Sequence, residues 1–317
     1  MSLERFHPIG TPGEPWTDAD KAAWLESCAI ERSYRDDVLA RLEALEAPAA
    51  RSGPFEVHRY GALSRDPERY PLFAVHLPST RPGAPWALVT GGVHGYETSG
   101  VHGALAFLED HAAGYLDRLN LLVVPCVSPW GYEVIHRWNP RAVDPNRSFV
   151  EDSPSEEAAA LMAHVGALDA DFLAHLDLHE TTDSDEEQFR PALAARDGLA
   201  LEPGEIPDGF YTVGDTANPR PAFQAAIVAG VEQVTHIAPP DARGEIIGCP
   251  VEQPGVIHYP FGELGLCAGL TDAPFTTTTE VYPDSPRVTD AVCVAAQVAA
   301  VRAGLDHALG AKAQDAT

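Results

Sequence analysis

The chain has 317 residues, 45% of them hydrophobic, so it is long enough to bury one large core. Its formal net charge of −26 at pH 7 excludes nucleic acid as an expected partner, because a phosphate backbone would repel it. The first residues contain acids and prolines without an apolar signal region, and no run of about 20 apolar residues is expected to span a membrane. Five widely spaced cysteines form no CxxC pair, so neither a disulfide framework nor a thiolate zinc site is expected. We therefore expect a cytoplasmic protein.

Helices and strands alternate along the sequence. Residues 17–47 keep apolar residues at helical spacing and predict one long helix or a broken pair. The elements predicted after it are strands at 55–61, 70–78 and 84–92, a helix at 98–115, a strand at 119–129, a helix at 152–168, strands at 171–180 and 209–215, a helix at 219–237, a strand at 274–283 and a helix at 286–308. This order predicts a single α/β domain with a mixed, mostly parallel central sheet flanked by helices. We divide the chain into an N-terminal helical segment, residues 1–50, packed on a main domain, residues 51–317.

Histidines and a carboxylate stand at the ends of two predicted strands. His94 and Glu97 follow the third predicted strand, and His179 lies near the end of the fifth. Ligands of open α/β sheets collect at the carboxyl ends of strands, where the loops converge. Two histidines and one carboxylate are a donor set that zinc takes in catalytic sites, with one position left for water. The sequence therefore predicts a catalytic metal site formed by His94, Glu97 and His179.

Three further features bear on this predicted metal site. Glu280 lies within the predicted strand 274–283 and is a spare carboxylate that can accept a proton from an attacking water. Asp177 shares a strand face with His179, because side chains alternate along a strand. We interpret it as a partner of His179 or as a ligand of a second metal ion. The glycines near His94, at positions 91, 92 and 95, are expected to let the backbone approach the metal closely.

The segment RWNPRAVDPNRSF is rich in polar side chains. It contains Arg137, Arg141, Asp144, Asn146 and Arg147. An ordinary turn explains its asparagines, prolines and aspartate, because these residues favour turns. The arginines also suit recognition of a carboxylate, which a guanidinium binds through two parallel hydrogen bonds. Both interpretations stay open on the pattern alone.

Other polar residues have simpler explanations. Residues 181–210 form a long, acidic connection, which is expected to contribute to a site because long loops in compact domains often do. Its carboxylates are expected to face water, namely Asp183, Asp185, Glu186 and Glu187. Several histidines have no partner at ligand spacing and are interpreted as structural or surface residues, among them His58, His76 and His164.

Four segments together resemble the zinc carboxypeptidases related to carboxypeptidase A, with their aspartoacylase and succinylglutamate desuccinylase relatives. The segments are GGVHGYE, RWNPRAVDPNRSF, DLHE and TTTTEVY, in the family's order across most of residues 84–285. The resemblance implies that residues 51–317 form a zinc carboxypeptidase-like catalytic domain. It also implies that His94, Glu97 and His179 bind one zinc ion.

The same resemblance implies roles for residues around the metal. Glu280 corresponds to the family's catalytic glutamate. Asn146 and Arg147 correspond to the pair that holds the substrate carboxylate, and Asp144 to the aspartate that orients a zinc-binding histidine.

Three further residues enter through the resemblance. Arg137 corresponds to the arginine that stabilises the oxyanion, with Arg141 as the reserve candidate for that role. The family also has a mobile tyrosine about twenty residues before its glutamate. Tyr259, 21 residues before Glu280, corresponds to it.

Three functions follow from these motifs. The favoured one is a zinc-dependent hydrolase that cleaves an amide next to a free carboxylate, namely a metallocarboxypeptidase acting on small peptides. The first alternative is a deacylase of N-acyl amino acids, of the aspartoacylase or desuccinylase type. The second is a non-catalytic module that binds metal or peptide, which the presence of Glu280 and Arg137 argues against. The expected partners are a small peptide or an N-acyl amino acid, without nucleic acid or membrane.

Overall fold

An eight-stranded sheet forms the centre of the chain, of which this computed structural model describes residues 6–46 and 54–315. In chain order the strands are β1 (Glu56–Ala62), β2 (Pro71–Leu77), β3 (Trp86–Gly91), β4 (Asn120–Val124), β5 (Phe172–Glu180), β6 (Tyr211–Asp215), β7 (Glu245–Ile246), β8 (Cys249–Pro250), β9 (Val256–Tyr259) and β10 (Phe275–Val281). The order in the central sheet is β1-β2-β4-β3-β5-β10-β6-β9, and β7 and β8 form a separate hairpin. Four of the seven neighbouring pairs are parallel, so the prediction of a mixed, mostly parallel sheet is confirmed.

Helices cover the sheet. They are α1 (Asp18–Ser27), α2 (Ala40–Glu46), α3 (Thr98–Asp110), α4 (Pro129–Val134), α5 (Glu156–Gly166), α6 (Arg190–Asp197), α7 (Pro221–Val231), α8 (Phe261–Leu264) and α9 (Asp290–Asp315). The main hydrophobic cluster joins one sheet face to α3, α7 and α9, and a second cluster joins the other face to α5. The sequence pattern missed α4, α6, α8 and β7–β9, all of which are short.

The N-terminal helices pack on the rest of the chain through aromatic side chains. Trp24 of α1 contacts Trp130 and Trp138 edge to face, at ring-centroid distances of 5.9 and 5.6 Å. The buried Tyr34, before α2, donates its hydroxyl hydrogen bond to the Pro71 carbonyl at 2.9 Å. The described part of segment 17–47, up to residue 46, forms a broken pair of helices, one of the two forms predicted. The predicted boundary between residues 50 and 51 lies outside the described residues.

The C-terminal helix α9 is unusually apolar. By length and composition, residues Asp290–Gln314 are sufficient to cross a membrane, which the sequence pattern did not predict. Ala296, Val301 and Leu305 of this helix are fully buried against the sheet and its neighbouring helices. Packing in the core therefore accounts for the apolar character of α9.

Three strands bring the predicted site residues together. β3, β5 and β10 are parallel neighbours, so their carboxyl ends lie at the same edge of the sheet. In this register Glu280 on β10 lies beside His179 on β5, and Tyr211 on β6 lies on the other side of Glu280. All nine residues of β5 are buried, so the strand is a rigid base for His179. The backbone register of β3, β5 and β10 therefore places the site at the carboxyl ends of these strands.

The glycines beside His94, which the sequence predicts to let the backbone approach a metal closely, lie where the turn packs against neighbouring backbone. Gly92 has a φ of +60°, a left-handed conformation that disfavours residues with a Cβ. A Cβ on Gly95 would lie 2.2 Å from the backbone nitrogen of Tyr132 and 2.3 Å from the Ser128 carbonyl oxygen. The turn that carries His94 is therefore pressed directly against the start of α4.

We expect the Gly95→Ala variant to be less stable than the wild type. The added methyl group collides with backbone atoms that cannot rotate away, and overpacking of this kind typically costs about 1–3 kcal/mol. The control is Gly166→Ala at the end of α5, where nothing lies within 4 Å of the new Cβ. That variant should be neutral or more stable by up to about 1 kcal/mol. Urea denaturation followed by circular dichroism measures both, and equal stability of Gly95→Ala and wild type would contradict the packing role.

Candidate metal centre and active site

Three buried side chains converge at the ends of β3 and β5. The Nδ1 atom of His94 lies 2.7 Å from Oε1 of Glu97, and the Nδ1 atom of His179 lies 2.7 Å from Oε2 of the same carboxylate. The two Nδ1 atoms are 3.2 Å apart. Each of the three residues is at most 2% exposed. One donor atom from each lies within 4.8 Å of the others, which no other trio of the described residues achieves.

The other nitrogen of each imidazole contacts a carboxylate. Nε2 of His94 lies 3.0 Å from Oδ1 of Asp144, and Nε2 of His179 lies 2.8 Å from Oδ2 of Asp177. A carboxylate accepts hydrogen bonds, so in a neutral ring whose Nε2 donates to its aspartate, Nδ1 keeps a lone pair that can bind a cation beside Glu97. Two nitrogen lone pairs and a carboxylate therefore face one point. These residues fit a divalent metal ion of the zinc type.

The charges of the centre also favour a cation. Burial acts to lower the pKa of His179, but Asp177 and Glu97 raise it well above the usual value. Burial acts to raise the pKa of Glu97, but His179 and His94 lower it to about 2. Both shifts mean that positive charge is stabilised at this point. A bound metal ion supplies that charge without protonating the imidazoles.

Asp177 lies behind His179, away from the cavity. Its Oδ1 accepts a hydrogen bond from the Thr90 hydroxyl at 2.6 Å, and its Oδ2 contacts His179. Asp177 is fully buried, and these two contacts engage both of its carboxylate oxygens. This position supports its role as a partner that orients His179.

Glu280 lines a cavity of about 250 Å³ that also reaches His94. Its Oε2 accepts a hydrogen bond from the Thr181 hydroxyl at 3.0 Å, and the Thr181 oxygen lies 2.7 Å from the Tyr211 hydroxyl. Burial raises the pKa of Glu280 to about 8, although His179 opposes the rise. A carboxyl group in this range exchanges protons readily near neutral pH.

Arg137 is held in place above the metal ligands. Its guanidinium lies 3.2 Å from Oδ2 of Asp144 and 3.3 Å from Oδ1 of Asp185, and it stacks over the Phe189 ring at 4.4 Å. Asp185 also accepts a hydrogen bond from the Tyr96 hydroxyl at 2.8 Å and is only 9% exposed. The prediction that Asp185 faces water is therefore wrong. Asp185 stands among other acidic residues in the sequence, and only the fold shows which of these carboxylates is buried.

The remaining predicted residues separate into two groups. Asn146, Arg147 and Tyr259 line the cavity together with Glu280. The Arg147 guanidinium donates to the Asn146 carbonyl at 2.7 Å and forms no ion pair with a described carboxylate. Arg141, the reserve candidate for the oxyanion, does not line the cavity, because its guanidinium pairs with Glu156 at 2.7 Å on the surface.

Glu180 is a site residue that sequence reasoning left without a role. Its carboxylate accepts hydrogen bonds from the backbone nitrogens of Ser99 at 2.7 Å and Thr98 at 3.1 Å, the first residues of α3. The backbone nitrogen of Glu180 in turn donates to Glu97 at 3.1 Å. These bonds tie the end of β5 to the segment that carries His94 and Glu97. The sequence signal that could have indicated a role for Glu180 was its position directly after His179.

The fold and the site together define a class of protein. A buried centre of two histidines and one carboxylate, beside a cavity with a proton-exchanging carboxyl group and arginine side chains, is typical of a metal-dependent hydrolase. Residues 61–177 match the model of the zinc carboxypeptidase family. The matched range contains His94, Glu97, Arg137 and Arg147.

Solved structures show the same fold. A proposed metallopeptidase from Shewanella denitrificans OS217 superposes with a TM-score of 0.65 at 22% identity, over 87% of this chain and 92% of the other. A metallo-carboxypeptidase from Burkholderia cenocepacia gives a TM-score of 0.55 at 16% identity, over 92% and 70%. Carboxypeptidase A from Helicoverpa armigera gives 0.57 at 12% identity, over 94% and 75%. Comparison with curated proteins finds no matching sequence.

The resemblance inferred from the four motifs is thereby confirmed. Residues 61–177 resemble a zinc carboxypeptidase, and the chain has a carboxypeptidase-like α/β fold. The family is zinc-dependent, in agreement with the donor set of His94, Glu97 and His179.

We expect Asp177→Asn to weaken zinc binding at the catalytic centre. The variant removes the negative charge that keeps the hydrogen of His179 on Nε2, and loss of such partners typically lowers metal affinity by about 10-fold to 100-fold. The control is Asp110→Asn at the exposed end of α3. The zinc concentration that restores hydrolysis to the metal-free protein measures the affinity. An unchanged concentration for Asp177→Asn would contradict the orienting role.

Proposed function

We propose that the protein is a metallocarboxypeptidase that removes the C-terminal residue of small peptides. The observation that carries this proposal is Arg147, a guanidinium without an ion-pair partner among the described carboxylates, in the same cavity as His94 and Glu280. A free carboxylate of the substrate is the natural partner for this cation. The match to the zinc carboxypeptidase family supports a peptide as the substrate.

The residues around the cavity have different roles in amide hydrolysis. A zinc ion bound by His94, Glu97 and His179 supplies Lewis-acid polarisation of the reacting oxygens. Glu280 accepts the proton of the attacking water and later returns it to the leaving amine, a task that suits a pKa near neutrality. Arg137, fixed by Asp144 and Asp185, directs its N–H groups at the oxyanion.

The substrate carboxylate determines where the peptide is cut. Arg147 and the amide of Asn146 bind it, so the bond presented to Glu280 belongs to the terminal residue. The cavity of about 250 Å³ is small for a ligand site, which favours short substrates. We also propose a cytoplasmic location, supported by five free cysteines, since disulfides are rare in reducing compartments.

A substrate screen tests the proposed function. The zinc-loaded protein is offered N-blocked dipeptides in one set and N-acyl amino acids of the aspartoacylase and desuccinylase type in the other, each with a chelator control. We expect chelator-sensitive hydrolysis of the dipeptides. Hydrolysis of the N-acyl amino acids alone would contradict the carboxypeptidase assignment and indicate a deacylase. No hydrolysis of either set would indicate a non-catalytic binding module.

We expect Glu280→Gln to retain zinc and lose hydrolysis. Glutamine has the same size but cannot accept the proton, and general acid–base catalysis typically contributes about 100-fold to 10,000-fold to the rate. Zinc content and kcat are measured on the same preparation, with Glu263→Gln on the exposed face of α8 as the control. Loss of zinc, or a kcat near that of the wild type, would contradict the role of Glu280.

We expect Arg147→Met to lose the preference for a free C-terminal carboxylate. The variant removes a charge-assisted bond of about 1.5–3 kcal/mol, or about 10-fold to 100-fold in kcat/KM. Each variant is assayed on a peptide with a free C-terminus and on its amidated counterpart. Arg141→Met is the matched control, because Arg141 belongs to the same segment but lies outside the cavity. A preference that survives in Arg147→Met, or disappears in Arg141→Met, would contradict the assignment.

A further inference from the structure

A second group of metal-binding side chains lies on the outer hairpin of the sheet. Glu56 of β1 pairs in register with His76 of β2, so the two side chains are on the same sheet face. His58 is two residues beyond Glu56 on β1 and shares that face. His164 of α5 covers this face and contacts His76. The outer cluster, Glu56, His58, His76 and His164, shares no residue with the catalytic site.

One pair of histidines in the outer cluster has a spacing similar to that of the two histidines of the catalytic centre. The Nε2 atoms of His76 and His164 are 3.0 Å apart, close to the 3.2 Å between the Nδ1 atoms of His94 and His179. Two nitrogens bound to one zinc ion at about 2.0–2.1 Å in a tetrahedral arrangement are separated by a similar distance. The His76 and His164 rings are therefore already placed as neighbouring ligands of one ion.

The other two members of the cluster are close and exposed. The His58 ring centroid lies 4.4 Å from that of His76, and Nε2 of His58 lies 3.5 Å from Oε2 of Glu56. The side chains of His58 and Glu56 are 46% and 57% exposed. Their donor atoms are not gathered as closely as those of the catalytic trio. Exposed side chains rotate freely, so Glu56 and His58 can complete a coordination shell around the fixed pair.

The electrostatics of the cluster keep the imidazoles available. Burial, together with His58 and His164, lowers the pKa of His76 to about 4. Burial and His58 also lower the pKa of His164. Neighbouring imidazoles repel one another when protonated, so His76 and His164 offer lone pairs at neutral pH.

We propose that Glu56, His58, His76 and His164 form a second metal site, which takes a divalent transition-metal ion such as zinc. Three imidazoles and one carboxylate complete a four-coordinate shell, which is typical of structural zinc sites because no position remains for substrate. The ion joins the edge strand β1 to β2 and α5. It therefore stabilises the edge of the sheet and takes no part in hydrolysis.

The test uses variants that remove each site separately. His179→Ala disables the catalytic centre, while His164→Ala and His58→Ala disable the outer site, with His111→Ala as a control on a histidine outside both. Zinc per chain is measured after buffer exchange, together with peptidase activity and the thermal midpoint. Because His58 is an exposed strand residue, its variant tests the site even where His164→Ala proves unstable.

A second metal site predicts a definite pattern of zinc contents, activities and thermal midpoints. The wild type and His111→Ala carry about two zinc ions per chain, and each single-site variant carries about one. His164→Ala and His58→Ala keep their peptidase activity, and zinc raises the thermal midpoint of His179→Ala but not of His179→Ala with His164→Ala. A His179→Ala protein that holds no zinc, or whose zinc survives the further change His164→Ala or His58→Ala, would overturn the second site.

Discussion

The carboxylate of Glu97 is the contact on which the rest of the site depends. Its two oxygens lie 2.7 Å from His94 and 2.7 Å from His179, residues that come from different strand ends. It also accepts the backbone hydrogen bond of Glu180. Its full burial makes this charge costly unless positive charge lies beside it, and removing one partner of such a buried group typically costs about 3–5 kcal/mol. The fold therefore holds a negative charge where a metal cation is needed.

Reciprocal contacts connect this carboxylate to the catalytic groups. Glu180 binds the first backbone nitrogens of α3, so the end of β5 and the start of α3 are fixed to each other. Asp144 contacts both His94 and Arg137, which links the orientation of the His94 ring to that of the Arg137 guanidinium. A substitution of one of these carboxylates therefore disturbs two neighbouring groups. Its effects on metal binding and on catalysis will not be independent.

The sequence predicted those features that depend on short spacing. His94 with Glu97, the strand that carries His179, and Glu280 on a threonine-rich strand all appear as local patterns. Asp185 and the outer histidine cluster were not predictable, because His58, His76 and His164 come from three elements that only the folded hairpin and α5 bring together. The glycines near His94 were recognised, but the close contact of Gly95 with the backbone of α4 is not visible in any local pattern.

The geometry of the site predicts that zinc binds through Nδ1 of His94 and His179, while each Nε2 contacts Asp144 or Asp177. A crystal structure of the zinc-loaded protein, with anomalous diffraction recorded at the zinc absorption edge, tests it most directly. We expect a zinc peak bonded to Nδ1 of His94, Nδ1 of His179 and the carboxylate of Glu97, with the Asp144 and Asp177 contacts retained. Coordination through Nε2 of either histidine, or no zinc peak between these three residues, would contradict the account.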